Sequence, residues 1–336
     1  MLTGAALPKQ TENDPNRSAD AAIKRKRHDR VAAVAWDGHD LRTAFRLALL
    51  LLPAWLLPES SWAPLWLCRM RLSERFKRHG IERTARAVRA ALGLDVATSE
   101  DIARRLKAAI HELQMQDLRG WRPGGWKPRI SLQGEEHLER ALADGKGAVL
   151  WVAPFVFNSG PTKMILHEKG YRCSHLSSPT HGYSETSLGV AYLNRVRCIP
   201  EDRYLAQRIV FDRDAPSTAM RRMVRALAQG EVVSIVAAST EGTDMVQGPI
   251  FGGTLPVAVG APRVSGFTGA PVLPVFTVRD PKLGFRVVIE SPIEIAPEAS
   301  PLDRCIAATA EFLTRSEAWV RRYPEQWRAW SKWNAN

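Results

Sequence analysis

The chain has 336 residues, enough for one large α/β domain with a helical extension or for two modest domains. It carries 47 Lys and Arg residues against 35 Asp and Glu, and the net charge of +12 favours an anionic partner such as lipid headgroups, nucleic acid or an acidic carrier protein. The four cysteines are widely spaced without a CxxC pair, so neither a zinc site nor a disulfide framework is indicated, and a reduced cytosolic setting fits best.

The N-terminal part begins with polar sequence. Residues 1–35 include a basic cluster, Lys24–Arg27, and are predicted to form a disordered basic tail, with attraction to anionic lipid as the alternative. The apolar run that follows, Leu47–Leu57, is too short for a bilayer span, which needs roughly 20 residues. It also begins too far into the chain, and lacks the small-residue cleavage site, for a signal peptide.

Aromatic and basic residues flank this apolar run. Three of the eleven tryptophans, Trp55, Trp62 and Trp66, lie close in sequence to several arginines. This combination is typical of the interface between a membrane and water. We therefore predict that residues 41–78 form an interfacial segment on an anionic membrane surface, and an ordinary buried helical hairpin is the alternative.

Two regions are predicted from the change in pattern along the chain. Residues 36–128 form a helical N-terminal region, because apolar residues recur at helical spacing between Ile81 and Leu118 with charged residues between them. This pattern is typical of packing rather than of chemistry. Residues 129–336 then alternate between strand and helix patterns, which predicts an α/β domain.

The predicted sheet is organised around Gly145–Lys163. A glycine-rich turn is followed by the apolar run Ala148–Phe157, which only Pro154 interrupts and which is typical of a strand buried on both faces. In open α/β sheets, binding sites lie beyond the carboxyl ends of the strands. The residues after Val152 are therefore expected to border the site.

The remaining elements alternate. Helices are predicted at 135–144, 161–169, 217–229, 257–267 and 302–323. Strands are predicted at 130–134, 171–176, 196–200, 209–211, 232–238, 272–278 and 285–289. Loops or turns are predicted at 177–185, 239–248 and 251–255. The predicted fold is α/β, with a mainly parallel or mixed sheet flanked by helices.

Five sequence pieces carry a resemblance to a known family. Gly145–Leu150, Ala226–Glu231, Pro249–Gly252, Gly269–Pro274 and Tyr323–Trp327 occur in an order that resembles the bacterial lipid A late acyltransferases. These are the lauroyl/myristoyl transferases of the glycerolphosphate acyltransferase-like superfamily, and the resemblance covers roughly residues 40–332.

The resemblance implies a glycerolphosphate acyltransferase-like fold and an N-terminal membrane-associated segment, peripheral at the cytoplasmic face of the inner membrane. It also implies transfer of a fatty acyl chain from an acyl-acyl carrier protein or acyl-CoA co-substrate to a glycolipid hydroxyl. Acyl carrier protein is then a partner, and no cofactor or metal is expected.

The resemblance departs at the catalytic site. Members of the family place a general-base histidine five positions before an acid, which orients the imidazole. Pro154 aligns with the histidine and Ser159 with the acid, so both roles are vacant. None of the eight histidines is followed five positions later by an acid. Ala238–Glu241 also replaces an Asp-Gln pair that many members carry.

Two histidines are candidate replacements for the missing base. His175 and His181 come at or just after the end of a predicted strand, with Glu185 or Glu241 as the candidate carboxylate, although a loop histidine is more often a surface residue. Ser159 or Ser239 is a candidate nucleophile only with a base beside it. For Ser159, capping of the following helix is the favoured interpretation.

Three positions are predicted to bind substrate: Asn158, Arg213 and Gly252. Arg213 follows the predicted strand 209–211 and resembles an arginine that grips an acceptor phosphate in the superfamily, since a guanidinium donates two parallel hydrogen bonds. A surface ion pair with Asp212 or Asp214 is the alternative.

A group of arginines on one predicted helix is interpreted in two ways. Arg221, Arg222 and Arg225 either face an acidic carrier protein or form a solvated surface, and the second is favoured.

Two functions remain open from the sequence. The first is acyl transfer from a thioester carrier to a lipid or to another hydroxyl or amine acceptor through non-standard residues. The second is a catalytically inactive homologue that binds lipid or a partner protein. Nucleic-acid binding is discounted because the sequence carries no motif for it and its arginines are scattered.

Overall fold

The computed structural model describes residues 34–72, 78–212, 215–237, 244–280, 283–295 and 299–335, with backbone only at 69–72, 78 and 79. Most of the predicted basic tail, residues 1–33, lies outside these ranges. The helices are α1 Gly38–Leu56, α2 Trp62–Leu72, α3 Arg78–Leu92, α4 Val96–Arg119, α5 Glu135–Ala143, α6 Gly160–Glu168, α7 Ser187–Tyr192, α8 Arg195–Asp202, α9 Pro216–Ala228, α10 Gly260–Thr268 and α11 Pro301–Arg322. The strands are β1 Ile130–Gln133, β2 Ala148–Val152, β3 Cys173–Ser177, β4 Gln207–Val210, β5 Val232–Val236, β6 Met245–Ile250, β7 Gly253–Ala258, β8 Val272–Asp280, β9 Gly284–Ile289 and β10 Asn334–Ala335.

Seven strands form the central sheet, in the order β1-β9-β8-β2-β5-β3-β4. β8, β2, β5, β3 and β4 run parallel to one another, whereas β9 is antiparallel to β8 and pairs in parallel with β1. The sheet is flanked by helices, which confirms the predicted fold class. β6, β7 and β10 form a separate antiparallel sheet.

β2 occupies the middle of the central sheet because both of its faces are apolar. Its five residues are at most 2% exposed. Leu150 and Val152 pack in one hydrophobic cluster, whereas Val149 and Trp151 pack in another. Successive side chains of a strand point to opposite faces, so this partition places a core on each side of the sheet. The predicted strand that is buried on both faces is confirmed.

The helical N-terminal region shares a core with the sheet. Ile102 and Leu106, on the inner face of α4, belong to the same cluster as Trp151 and Phe276 from the strands. α1 begins with a capping box in which the Asp37 side chain accepts from the backbone of Asp40, and it packs against α4 through Leu47 and its neighbours. Among the described helices, none has the length and apolar character needed to cross a membrane.

Two predicted elements are wrong. The short strand predicted at 196–200 is part of α8, because Arg197 and Glu201, four residues apart, bring their charged ends to the same buried region when the segment is helical. The loop predicted at 239–248 includes the start of β6. The partner of β6 is β7, whose residues were predicted in part as the turn at 251–255 and in part as the helix from 257. The helix predicted from 257 begins at Gly260.

Candidate active site

A cavity of about 450 Å³ lies at the carboxyl edge of the sheet, beyond β3 and β5. One part of its wall is apolar, from side chains of α4, α9 and the strands: Leu113, Leu176, Phe211, Ala219, Met220, Met223, Ile235, Val236, Ala258 and Val259. The other part is polar, with Asn158, Ser159, His175, Ser177, Ser178, His181, Arg197, Ser217, Asp244, Arg263 and Arg328. An apolar pocket with a few converging polar groups is the usual form of a small-molecule site.

The segment after β2 is fixed by the C-terminal part of the chain. The Pro154 carbonyl accepts from the backbone N–H of Arg328 at 2.9 Å, and the Val156 N–H donates to the Gln326 carbonyl at 2.8 Å. Phe155 forms an antiparallel bridge with Trp327 between these bonds. Pro154 is buried and does not border the cavity, whereas Ser159 does.

Ser159 precedes the first turn of α6, but its side chain does not cap the helix. Its hydroxyl donates to Glu201 Oε1 at 2.5 Å and accepts from Lys163 Nζ at 2.9 Å. The interpretation of Ser159 as a capping residue is therefore wrong, because the buried carboxylate of Glu201 is a stronger acceptor for its proton.

Glu201 is the centre of a buried polar cluster. Besides Ser159, its carboxylate accepts from Lys163 Nζ at 2.9 Å, from Arg208 Nη2 at 2.9 Å and from His181 Nε2 at 3.1 Å. Lys163 is 2% exposed and Glu201 6% exposed, so this ion pair lies within the protein. Buried charges are tolerated when they are paired and hydrogen bonded, as these are.

The charges of this cluster determine which groups are ionised. Burial alone would raise the pKa of Glu201, but the positive charge of Lys163 and the hydrogen bond from His181 hold it well below its usual value. Burial lowers the pKa of His181, and Glu201 opposes this only in part. At neutral pH Glu201 is therefore a carboxylate and His181 is neutral.

These protonation states fix the tautomer of His181. A carboxylate only accepts hydrogen bonds, so Nε2, which faces Glu201, must carry the proton. Nδ1 then holds the lone pair, and within the described ranges it has no hydrogen-bond partner. The arrangement is a carboxylate-oriented imidazole at the wall of a cavity, which is the usual form of a general base.

Gly182 turns the chain immediately after this histidine. Its φ is +149°, and a Cβ at this position would lie 2.5 Å from Cγ of Asn194. Asn194 cannot move away easily, because its Oδ1 accepts from the backbone N–H groups of Tyr183 and Ser184 at 2.7 and 2.8 Å. A side chain at position 182 would therefore have to displace Asn194 or distort the turn that follows His181.

His175, the other predicted base, is also buried at the cavity. Its Nδ1 lies 3.3 Å from the Ser234 hydroxyl, and its ring centroid is 6.4 Å from that of His181. Burial and the nearby Lys163 charge lower its pKa well below the usual value, so it is neutral. None of its hydrogen bonds to the described residues reaches a carboxylate.

Of the two predicted carboxylate partners of the histidine base, one does not bond to His181 and the other lies outside the described residues. His181 bonds to Glu201, not to Glu185, which is exposed on the loop before α7. Glu241 and Ser239 lie outside the described residues. Glu201 was missed because its segment was predicted as a strand. The spacing of Arg197 and Glu201 was the available signal, since residues four apart share one face of a helix.

The three predicted substrate-binding residues are dispersed. Asn158 borders the cavity, and its Nδ2 donates to the Ala153 carbonyl at 3.1 Å. Gly252 lies in the turn between β6 and β7 and is not among the residues that border the cavity. Arg213 is outside the described residues, although Phe211, two positions earlier, does border the cavity as expected for the end of β4. Their binding roles stay predictions.

Three arginines that were not predicted as site residues border the cavity: Arg197, Arg263 and Arg328. Arg197, 8% exposed, donates from Nε to Asp117 Oδ2 at 2.9 Å, and its guanidinium lies over the Tyr183 ring. Arg328 extends from the segment that fixes Pro154.

The fold and this cavity define an α/β protein with a mainly parallel sheet and a ligand-sized cavity at the carboxyl edge of that sheet. Residues 78–332 match the family described as bacterial lipid A biosynthesis acyltransferase, and the chain belongs to this family. The match confirms the resemblance drawn from the sequence and supports acyl transfer as the general function. A comparison with curated proteins found no match.

Proposed function

We propose that this protein transfers a fatty acyl group from a thioester carrier to a hydroxyl or amine acceptor, with His181 as the general base and Glu201 as the residue that orients it. The observation that carries the proposal is the 3.1 Å contact between His181 Nε2 and Glu201 Oε2 beside the cavity. It supplies the two roles that Pro154 and Ser159 leave vacant.

The proposed reaction follows from the tautomer of His181. Nδ1 accepts the proton of the acceptor O–H or N–H while the oxygen or nitrogen bonds to the thioester carbon. The tetrahedral intermediate then collapses, the carbon–sulfur bond breaks, and the departing sulfur takes the proton back from the imidazolium. Glu201 stabilises that imidazolium through its ionised carboxylate.

The apolar part of the wall is the proposed site of the fatty chain. Met220 and Met223 from α9, with Phe211 and Leu176 from the sheet, give it an apolar lining. Flexible methionine side chains adapt to ligands of variable shape. Burial of each CH₂ group there would stabilise the complex by about 0.8 kcal/mol.

The carrier is proposed to dock beside α9. Arg221, Arg222 and Arg225 are exposed on this helix, and its opposite face borders the cavity through Ala219 and Met223. An acidic carrier protein on these arginines would have its prosthetic arm close to the cavity. Charge complementarity of this kind mainly speeds association and sets orientation.

α1 is the proposed contact with an anionic membrane surface, peripheral at the cytoplasmic face of the inner membrane. Its outer face exposes an apolar stripe at helical spacing: Leu41, Phe45, Leu49, Leu52 and Leu56. Its inner face is buried against α4 through Leu47 and Leu50. A helix with an exposed apolar stripe can lie in the interface plane with that stripe in the lipid.

The decisive experiment compares wild type with His181→Gln and His137→Gln, using acyl-acyl carrier protein, a total lipid extract and intact-mass detection of the product. Loss of general-base catalysis should lower the rate about 10²–10⁴-fold in His181→Gln. His137 lies on α5, where its ring bonds to Arg140 at 2.8 Å, so its substitution should leave the rate unchanged. Equal rates in the two variants would exclude His181 as the base.

A second candidate function is that of a catalytically inactive homologue which binds the acyl chain. Pro154 and Ser159 favour it, because neither carries a group that titrates near neutral pH. Acyl-chain binding by calorimetry, without product formation from any acceptor in the extract, would establish this second function in place of the first.

A further inference from the structure

Arg328 differs from the other arginines of the cavity wall in its pairing. Arg197 is paired with Asp117, and Arg263 is paired with Asp244. The guanidinium of Arg328 has no hydrogen bond or ion pair with any residue that the structure describes. Its side chain is exposed, while its backbone is fixed by the bond to Pro154.

The surroundings of Arg328 disfavour its positive charge. Although the side chain is open to the cavity, the protein atoms around it displace part of its hydration, and this desolvation, together with the nearby charge of Arg197, lowers the pKa of Arg328 to about 10. The group is therefore still protonated at neutral pH. A cation in such a position is stabilised by an incoming anion, because the anion replaces the solvation that the protein has removed.

Arg328 also lies in the same region of the cavity as the proposed base. His181, Arg197 and Arg328 all border this one cavity. A ligand held by Arg328 would therefore have its neighbouring atoms near His181.

We infer that Arg328 forms a subsite for an oxyanion, a phosphate or carboxylate group carried by the acyl acceptor. The planar guanidinium suits such a group because it can donate two parallel hydrogen bonds to two oxygens. Description of the ligand as an acceptor rests on the proposed function, whereas the anion subsite itself does not. The site would select anionic acceptors over neutral ones of the same size.

Calorimetric titration tests the subsite without any turnover. The probes are dihexanoylphosphatidylglycerol, which carries a phosphodiester and free hydroxyls, N-octanoylglycine, which carries a carboxylate, neutral monooctanoylglycerol, and inorganic phosphate without a chain. Wild type is compared with Arg328→Gln, Arg328→Lys and, as a matched control, Arg195→Gln. Arg195 is an exposed arginine at the start of α8.

Removal of the guanidinium should weaken binding of an anionic probe about tenfold or more in Arg328→Gln, as expected for a charge-assisted hydrogen-bonded pair. Arg328→Lys should bind more weakly than wild type but retain a salt-dependent preference for the anionic probe. Arg195→Gln should match wild type, and monooctanoylglycerol should bind all four proteins alike. Binding of inorganic phosphate with the same dependence on Arg328 would identify the anion rather than the lipid as the determinant.

Equal affinity of the anionic probes for wild type and Arg328→Gln would overturn the inference. The same conclusion would follow if Arg328→Gln lowered kcat without any change in probe affinity, since Arg328 would then act on the reaction intermediate. Arg328-dependent binding in a protein that transfers no acyl group would leave the subsite standing while the proposed function failed.

Discussion

The carboxylate of Glu201 accepts from four side chains, and this crowding sets the properties of His181. In a simple base-and-acid pair the carboxylate raises the pKa of the histidine. Here Lys163 and Arg208 share the same carboxylate, and burial lowers the pKa of His181. His181 is consequently a weak base that is already unprotonated at mildly acidic pH.

The lowered pKa of His181 should be visible in the pH profile of acyl transfer. A general base must be unprotonated, so kcat/KM should fall only as the pH drops through the pKa of His181, which lies below the ordinary value near 6.5. Lys163→Met removes a positive charge that lowers this pKa, and the acid limb of the profile should move to higher pH. The measurement is kcat/KM against pH.

Lys169→Met is the matched control for that experiment. Lys169 is an exposed lysine paired with Glu135 at 2.7 Å, and its removal should not change the acid limb. An acid limb that stays in place in Lys163→Met would show that another group controls it.

Restoration of the usual family residues should fail for a physical reason. In Pro154→His/Ser159→Glu, the new carboxylate would replace a hydroxyl that donates to Glu201 at 2.5 Å, so two carboxylates would meet in a buried site. We expect no gain in acyl transfer and a loss of thermal stability.

Addition of Glu201→Gln to that double variant removes one of the two negative charges and should recover much of the lost stability. Thermal unfolding of the double and triple variants measures this. Equal stability of the double variant and wild type would show that position 159 is not held against Glu201.

At the scale of single elements, α1 provides a test of membrane contact. Leu49, 57% exposed on α1, and Leu302, 63% exposed on α11, are comparable in exposure and type. Transfer of a leucine from water to lipid is worth about 1.5–3 kcal/mol, so Leu49→Glu should weaken binding to phosphatidylglycerol vesicles about tenfold or more. Leu302→Glu should bind as wild type does in the same sedimentation assay.

If both leucine variants bound vesicles equally well, α1 would not be the contact. The net charge alone would then account for the attraction to anionic lipid.

Elements with a strong hydrophobic period could be predicted from the sequence, and those held by buried charge could not. β2, α6 and α11 follow from apolar runs and spacing alone. α8 was predicted as a strand because its few apolar residues do not recur at helical spacing. Its buried face instead carries Arg197 and Glu201. Propensity gives no sign that such charges will be buried, since the partners come from α4 and α6.

The candidate site could be predicted only in part, again because buried charge leaves no hydrophobic period in the sequence. His181 could be identified because it follows a strand at the binding edge. Its partner could not, because the 20 residues between His181 and Glu201 bring them together only through the turn at Gly182 and the packing of α8.

At the scale of the whole molecule, the C-terminal segment joins the ends of two central strands. Gln326 pairs with the backbone of Arg279 at the end of β8, accepting from its N–H at 2.8 Å and donating to its carbonyl at 2.9 Å. Its own carbonyl accepts from Val156 after β2. Trp327 and Trp330, each 1% exposed, anchor the segment in the core.

Substitution of Gln326 should therefore destabilise the fold as well as the cavity. Gln326→Leu leaves the N–H and carbonyl of Arg279 without these partners, and we expect a loss of about 2–4 kcal/mol in the free energy of unfolding. Denaturant unfolding gives the value, and Gln229→Leu, at an exposed glutamine after α9, is the control. Similar losses in both variants would contradict the role assigned to Gln326.

The cavity depends on Gln326, Trp327 and Arg328, which hold the segment after β2 in place. During synthesis the chain passes through Pro154 and Val156 long before the ribosome reaches the residues that hydrogen bond to them. A nascent chain that ends before these residues therefore lacks a complete cavity for a fatty chain. The cavity can be completed only after residues 326–328 have been synthesised and have paired with the segment after β2.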